Sequence, residues 1–234
     1  MPRKPRALVS WSSGKDSAYA LHLVRQSGEV EIAGLLTTMN SHFGRIAMHG
    51  VREELLDAQA AALGLRCWKV PIPWPCSNAI YEAEVSRVLC GALQQGITHL
   101  VLGDLFLADI RAYREARMAE VGVQPVFPLW LRDTAQLARE MLASGLHATL
   151  TCVDPKKLSP AFAGRSFDAA LLADLPAGID PCGEYGEFHT FASAGPMFER
   201  PIEIVLGEVV ERDGFVFADL LPHAALASVK EPAR

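Results

Sequence analysis

The sequence predicts an α/β chain, with a parallel sheet in the first half and a smaller α+β lobe beyond about residue 130. Three observations carry that prediction. Short apolar runs alternate with helical patterns up to about Pro128, the arrangement expected of βαβ units. The segments are closed by turn signals such as Gly64, Gly96 and Gly103-Asp104. After Pro128 the alternation loosens, and a paired run turning at Asp213-Gly214 reads as a hairpin.

In order, "RALVSW" (6–11) predicts a first strand and Asp16 to Arg25 the helix after it. "EIAGLLTTM" predicts a second strand, and "VREELLDAQAAALG" spaces its apolar residues for a helix that stops at Gly64. "RCWKVPIPW" predicts a third strand, interrupted by prolines. "SNAIYEAEVSRVLCGALQQG" predicts a long helix capped by Ser77 or Asn78. "ITHLVLGD" predicts a fourth strand. In the second lobe "DTAQLAREMLASG" reads as a helix, "LHATLTCVD" as a strand and "EIVLGEVVERDGFVFADL" as the hairpin. Between them "GIDPCGEYGEFHTF" (178–191), dense in Gly and acids, reads as an ordered functional loop, with His189 and Thr190 at the start of a strand. The expected division is residues 1–130 and 131–234. Trp68, Trp74 and Trp130 read as core or lobe-interface residues.

Bulk properties narrow the function. The chain has 234 residues, half of them hydrophobic, so a packed core is expected. A net charge of −5 argues against a broad nucleic-acid-binding face. The five cysteines (67, 76, 90, 152 and 182) lack the spacing of a zinc ribbon or a redox pair. Their odd number suits reduced thiols. No segment approaches the roughly 18 apolar residues of a membrane span, and the basic start has too short an apolar run for a signal peptide. A cytoplasmic protein without membrane contact is expected.

The stretch with the most chemistry is "SSGKDS" (12–17), between a predicted strand and a predicted helix. It is not a Walker A loop, because Gly14-Lys15 is followed by Asp16 and the first glycine is missing. The physics still suits an anion. Backbone N–H groups at a helix start carry partial positive charge, hydroxyls of Ser12, Ser13 and Ser17 can donate, and Lys15 can neutralise charge. Ligands also gather at the carboxyl ends of strands in such sheets. A solvated lysine beside a serine cap is the plainer reading.

S-S-G-K-D-S resembles the S-G-G-x-D-S pyrophosphate loop of the PP-loop ATP pyrophosphatases, with Ser13 in place of the first Gly. "LGDLFLADIRAYREARMAEVGVQPVFPLW" (102–130) and "PCGEYGEFHTFASAGPMF" (181–198) resemble segments of the diphthine–ammonia ligase family. The resemblance implies a nucleotide-hydrolase-like, Rossmann-like domain that uses ATP and Mg²⁺. Such an enzyme cleaves ATP between its α and β phosphates, adenylates a carboxylate acceptor and amidates it with ammonia. The acceptor in that family is diphthine, a histidine-derived residue of elongation factor 2 bearing a fixed positive charge. A homodimer is compatible with the resemblance.

Site residues follow. Ser12, Ser13, Gly14, Lys15, Asp16 and Ser17, with Gly103 and Asp104, are implied for the nucleotide. Asp16 and Asp104 are candidate Mg²⁺ ligands, although Asp16 also suits a helix N-terminus electrostatically. Lys15, Asp104, Glu184, Glu187 and His189 are the catalytic candidates. Glu184 and Glu187 flank Gly186 and can turn into one pocket, where carboxylates orient ammonia, take its proton or bind a cation. Asp109, Tyr113 and Arg117 fall near one helical face, with Arg114 one step round. His42 and His49 are weak metal candidates, and His49 stands at a helix start on the substrate side. The chain departs from the family pattern at Tyr185 (Gly expected), at His189 (an acid expected) and at Tyr113-Arg114-Glu115 (Tyr-Gln-Arg expected). Those departures point to a sister branch with a different acceptor. A non-catalytic nucleotide-binding module and a PP-loop RNA-modifying enzyme are the alternatives.

Overall fold

The protein is described from a computed structural model covering residues 3–223, so positions 224–234 of the expected second lobe lie outside the described residues. Strand β1 (Arg6–Ser10) leads into helix α1 (Lys15–Ser27), then strand β2 (Glu31–Asn40) and the short β3 (Arg45–Ile46). Helix α2 (Glu53–Leu63), strand β4 (Cys67–Ile72), helix α3 (Asn78–Gln94), strand β5 (Ile97–Val101), helix α4 (Ala108–Val121) and strand β6 (Gln124–Val126) complete the first layer. Beyond it come helix α5 (Thr134–Ala143), strand β7 (His147–Val153), helix α6 (Ala169–Asp174) and strands β8 (Phe188–Ala194), β9 (Ile204–Arg212) and β10 (Phe215–Pro222).

The predicted α/β class is the observed one. β1 pairs in parallel with β2 on one side and β5 on the other, β4 flanks β2 and β6 flanks β5. The parallel order is therefore β4-β2-β1-β5-β6, and it reverses direction between β1 and β5. That reversal opens a crevice at the carboxyl ends of β1 and β5, the place where open α/β sheets bind ligands. Ala7, Leu8 and Val9 are fully buried, because helices cover both faces of the central strand.

Two short strands escaped the sequence reading. β3 has two residues, and β6 contains Pro125, which lacks the N–H of an interior strand and sits at the sheet edge. Ser77 is the cap of α3, its Oγ accepting from the Ile80 N–H at 3.3 Å. The hairpin turns where expected, with φ +51° at Asp213 and +79° at Gly214, as a two-residue hairpin loop demands.

The second sheet is antiparallel, in the order β8-β7-β10-β9. One apolar cluster runs from Val9, Leu21 and Leu55 of the first layer to Leu137, Leu150 and Phe191 of the second. A separate cluster under α3 and α4, including Leu89, Leu100 and Met118, fills the other face of the parallel sheet. The two sheets thus share a core, and β8 is carried to the carboxyl end of β1.

Candidate active site

After β1 the chain continues through Trp11, whose N–H donates to the Leu36 carbonyl at 2.8 Å, and turns at Ser13. Ser13 is fully buried with a left-handed φ of +68°, and its Oγ has no hydrogen-bond partner among the described residues. Gly14 is then extended (φ −84°, ψ 171°) and caps α1 without a side-chain hydrogen bond. Glycine is needed there for space: a Cβ would lie 2.9 Å from His49 Cε1 and 3.1 Å from the Thr190 carbonyl oxygen.

The loop is held from two sides. Gln59, fully buried on α2, accepts from Trp11 Nε1 at 2.8 Å and donates to the Ser13 and Ala192 carbonyls at 3.0 and 2.7 Å. From the second lobe, Ala192 N–H donates to the Ser13 carbonyl at 2.8 Å, and Thr190 Oγ1 accepts from the Lys15 N–H at 3.0 Å. Sequence reasoning missed Gln59. The signal was present, since position 59 falls in the apolar stripe of Leu55, Leu56 and Leu63, where a buried amide needs specific partners.

Lys15 departs from its expected place. Its side chain is buried, and Nζ bridges both Asp16 carboxylate oxygens at 2.9–3.0 Å and also donates to the Cys182 carbonyl. Phe167 and Phe188 rings stand 5.5 and 5.4 Å from it. Burial alone would lower its pKa, but Asp16 and the groups around Cys182 and Asp180 outweigh that and raise it. The ammonium therefore ties the loop to the second lobe instead of facing solvent. Ser17 Oγ turns back to the Gly14 carbonyl at 3.0 Å and lies 3.2 Å from Ser12 Oγ. Ser12 lines the cleft described below.

Gly103 lies against the first turn of α1, where a Cβ would approach Asp16 C and Ser17 N at 3.1 Å. Asp104 is nearly buried and accepts from Arg114 Nε at 2.8 Å, so its carboxylate is turned to α4. Asp16 and Asp104 were the expected Mg²⁺ ligands. Each already carries a cationic partner, and among the described residues no group of three or more His, Cys, Asp or Glu is placed to hold a metal. As placed, each acid is engaged by its own cation, Asp16 by Lys15 and Asp104 by Arg114.

Glu184 and Glu187 do not share a pocket, contrary to expectation. Glu184 Oε1 crosses to the loop after β5 and accepts from Leu105 N–H at 2.8 Å and Phe106 N–H at 3.4 Å. Burial raises its pKa to about 7, and the nearby Asp16 and Asp104 charges add to the shift, against the two backbone hydrogen bonds. Glu187 points inward, 2% exposed. Its Oε1 accepts from Asp180 N–H at 3.1 Å, and Oε2 has no partner among the described residues. The separation follows from backbone geometry: Gly186 adopts a left-handed φ of +78° between them, and Glu187 enters β8 next to the buried Phe188. Cys182, buried, has its thiol pKa pushed up by burial and is no activated thiolate.

His189 reaches the cleft wall. So does His49, and their ring centroids are 4.7 Å apart. The cleft, about 430 Å³, opens at the carboxyl ends of β1, β2 and β5. Leu36, Leu89, Leu100 and Met118 give it an apolar lining, and Ser12, Arg114 and Arg117 give it a polar side. Tyr113 and Arg117 both reach Glu82 across the mouth, at 2.8 and 3.3 Å, whereas Asp109 of the same helix is exposed and does not line the cleft. A second cavity of about 400 Å³ shares the wall Ile46–Met48 and is lined by Phe43, Trp74, Phe215 and Phe217. Trp74, expected in the core or lobe interface, is 53% exposed there.

A parallel sheet in this order, with a serine- and glycine-bearing turn at its reversal point, defines a Rossmann-like nucleotide-binding class of protein. Two family descriptions then match the chain: the Diphthamide synthase N-terminal domain over residues 5–125 and the Diphthamide synthase C-terminal domain over residues 133–218. The chain belongs to the diphthamide synthase family. Curated relatives agree. A diphthine–ammonia ligase from Bos taurus is 31% identical over 229 residues, covering 88% of this chain and 85% of its own length. One from Danio rerio is 37% identical over 118 residues, 48% of this chain and 46% of its own length, so the matched part spans about half of that relative. Among solved structures, the U34-tRNA thiolase NcsA from Methanococcus maripaludis aligns with 61% of this chain and 58% of its own at 16% identity and a TM-score of 0.37. No helix among the described residues is long and apolar enough to cross a membrane.

Proposed function

We propose that the chain is an ATP-dependent carbon–nitrogen ligase that forms AMP and pyrophosphate, adenylating a carboxylate and amidating it with ammonia. The observation that carries the reading is the turn Ser12–Ser17 at the reversal point of the sheet, opening beside a cleft with an apolar lining. In this reading the adenosine lies on the Leu89, Leu100 and Met118 side of the cleft, leaving the His49–His189 wall free, and the phosphates lie over the first turn of α1. The N–H of Ser17 there has no partner among the described residues, and Ser12 adds a hydroxyl. Mg²⁺ arrives on the phosphates of ATP as part of the substrate. Residues 1–130 chiefly serve ATP, and the second lobe, through β8 and the 180–187 loop, braces the turn and forms most of the acceptor side.

An unactivated carboxylate resists ammonia because its leaving group is poor. Transfer to the α-phosphate supplies a good leaving group, and N–H groups fixed by the fold stabilise charge on the departing pyrophosphate without reorganising. Lys15 acts here by holding the loop through Cys182 and Asp16. Asp104 keeps Arg114 on the polar side of the cleft. Glu184, with a pKa near neutrality and contacts on the loop after β5, is the group suited to exchange a proton at this end of the site. Glu187 fixes the 180–187 loop from inside.

Diphthine is the first acceptor to test, since the relatives are named diphthine–ammonia ligases. The experiment incubates the protein with α- and γ-labelled ATP, ammonium chloride and diphthine-bearing elongation factor 2. AMP, pyrophosphate and a new amide are expected. ADP and phosphate as the main products would overturn the reading, and AMP without an amide would redirect the acceptor.

A further inference from the structure

His49 follows β3 in the first layer and His189 lies on β8 of the second, yet they meet on the wall of the cleft, their planes inclined by 41°. His49 Nδ1 lies 3.0 Å from the Thr190 carbonyl oxygen. A carbonyl only accepts, so Nδ1 carries the hydrogen and Nε2 keeps a free lone pair. The His189 ring has no hydrogen-bond partner among the described residues. The Cε1 edge of His49 abuts Gly14, which places the pair beside the turn that receives the phosphates.

We propose that the paired imidazoles of His49 and His189 form the ammonia site of this ligase, a role that rests on the amidation reading above. Both rings are held neutral. Burial is the main cause for each, taking His49 to about 4 and His189 well below its ordinary range. Lys15 adds to both shifts, and His49 and Lys157 add to that of His189. Neutral nitrogen acceptors beside a buried lysine favour an uncharged N–H donor over a cation, so the pair selects ammonia over ammonium. Two of its N–H bonds point to the rings and its lone pair is left for attack.

The step balances as follows. The ammonia lone pair forms the C–N bond to the acyl carbon of the acyl-adenylate. The C–O bond to the α-phosphate breaks, and its electron pair leaves on AMP. The surplus proton passes to the departing phosphate and then to water at the cleft mouth, while His49 Nε2 and the His189 ring stay neutral hydrogen-bond acceptors that hold the ammonia. His49 is a group that sequence reasoning left as a weak metal candidate, because its partner is remote in the chain.

Two measurements test the proposal. In the first, amide formation from diphthine-bearing elongation factor 2 is followed against ammonium concentration for wild type, His189→Asn and His49→Gln. The expected result is a product rate lowered about a hundredfold, as for a nucleophile no longer held in position. ATP affinity by calorimetry should stay within about threefold, and added imidazole should partly rescue the His189 variant. Loss of ATP binding in folded variants would make the pair part of the nucleotide site and overturn the proposal. Wild-type rates in the variants would do the same. The second measurement needs no acceptor. In the AMP-bound protein with ¹⁵N-labelled histidine, the ring resonances of His49 and His189 should shift on adding ammonium chloride near the ammonium pKa, and not on adding sodium chloride. Unmoved resonances overturn the site even if amidation itself is confirmed, whereas absent wild-type amidation with shifted resonances faults the acceptor reading alone.

Discussion

Glu184 leaves the loop before β8 and seats its carboxylate on the Leu105 N–H at 2.8 Å, at the exit of β5. One side chain of the second lobe therefore caps a backbone turn of the first, within the electrostatic reach of Asp16 and Asp104.

That contact predicts a pH signature. Burial raises the Glu184 pKa from 4.5 to about 7. Between those values the folded chain holds a proton that the unfolded chain has released, so its contribution makes stability fall as pH rises through the window. Glu184→Gln keeps an oxygen acceptor for Leu105 and Phe106 but cannot ionise. Its stability relative to wild type should improve steadily from about pH 4.5 to about pH 7 and then level off. Denaturant titrations at several pH values measure the difference, and a flat difference would remove the raised pKa.

Lys15→Met should destabilise the fold by about 3 kcal/mol, because it leaves the Asp16 carboxylate and the Cys182 carbonyl without their cation. Lys15→Met with Asp16→Asn should recover part of that loss, since no charge is then stranded. Urea unfolding of the single and double variants decides it. Equal losses would show that the pair contributes little.

Ser13→Gly should stabilise the protein. A left-handed serine costs roughly 1–2 kcal/mol and an unpartnered buried hydroxyl about 1–3 kcal/mol, against about 0.5–1 kcal/mol for the extra freedom of unfolded glycine. A net gain of about 1–4 kcal/mol with unchanged ATP affinity is expected from those opposing effects. A loss of stability would mean that the hydroxyl has a partner.

Gly103→Ala should cost about 1–3 kcal/mol and weaken ATP binding together, because its methyl group would meet backbone atoms of Asp16 and Ser17 that cannot rotate away. Melting temperature and ATP calorimetry on the same variant check the coupling. Normal ATP affinity in a destabilised protein would separate the β5 exit from the loop.

What the sequence determined by itself was local. Alternating apolar runs required βαβ units, Gly64 and Ser77 marked helix ends, Asp213-Gly214 marked the hairpin, and "SSGKDS" marked the turn between β1 and α1, because each depends on neighbours within a few residues. Tertiary structure decided which side chains face the turn. Lys15 reads as a phosphate partner but is buried against Cys182, 167 residues away. Glu184 and Glu187 are three positions apart and point to different places. His49 and His189 share no spacing, yet β3 and β8 bring them together. The physical reason is that the shared core carries β8 to the carboxyl end of β1, and long-range packing of that kind leaves no periodic trace in the chain.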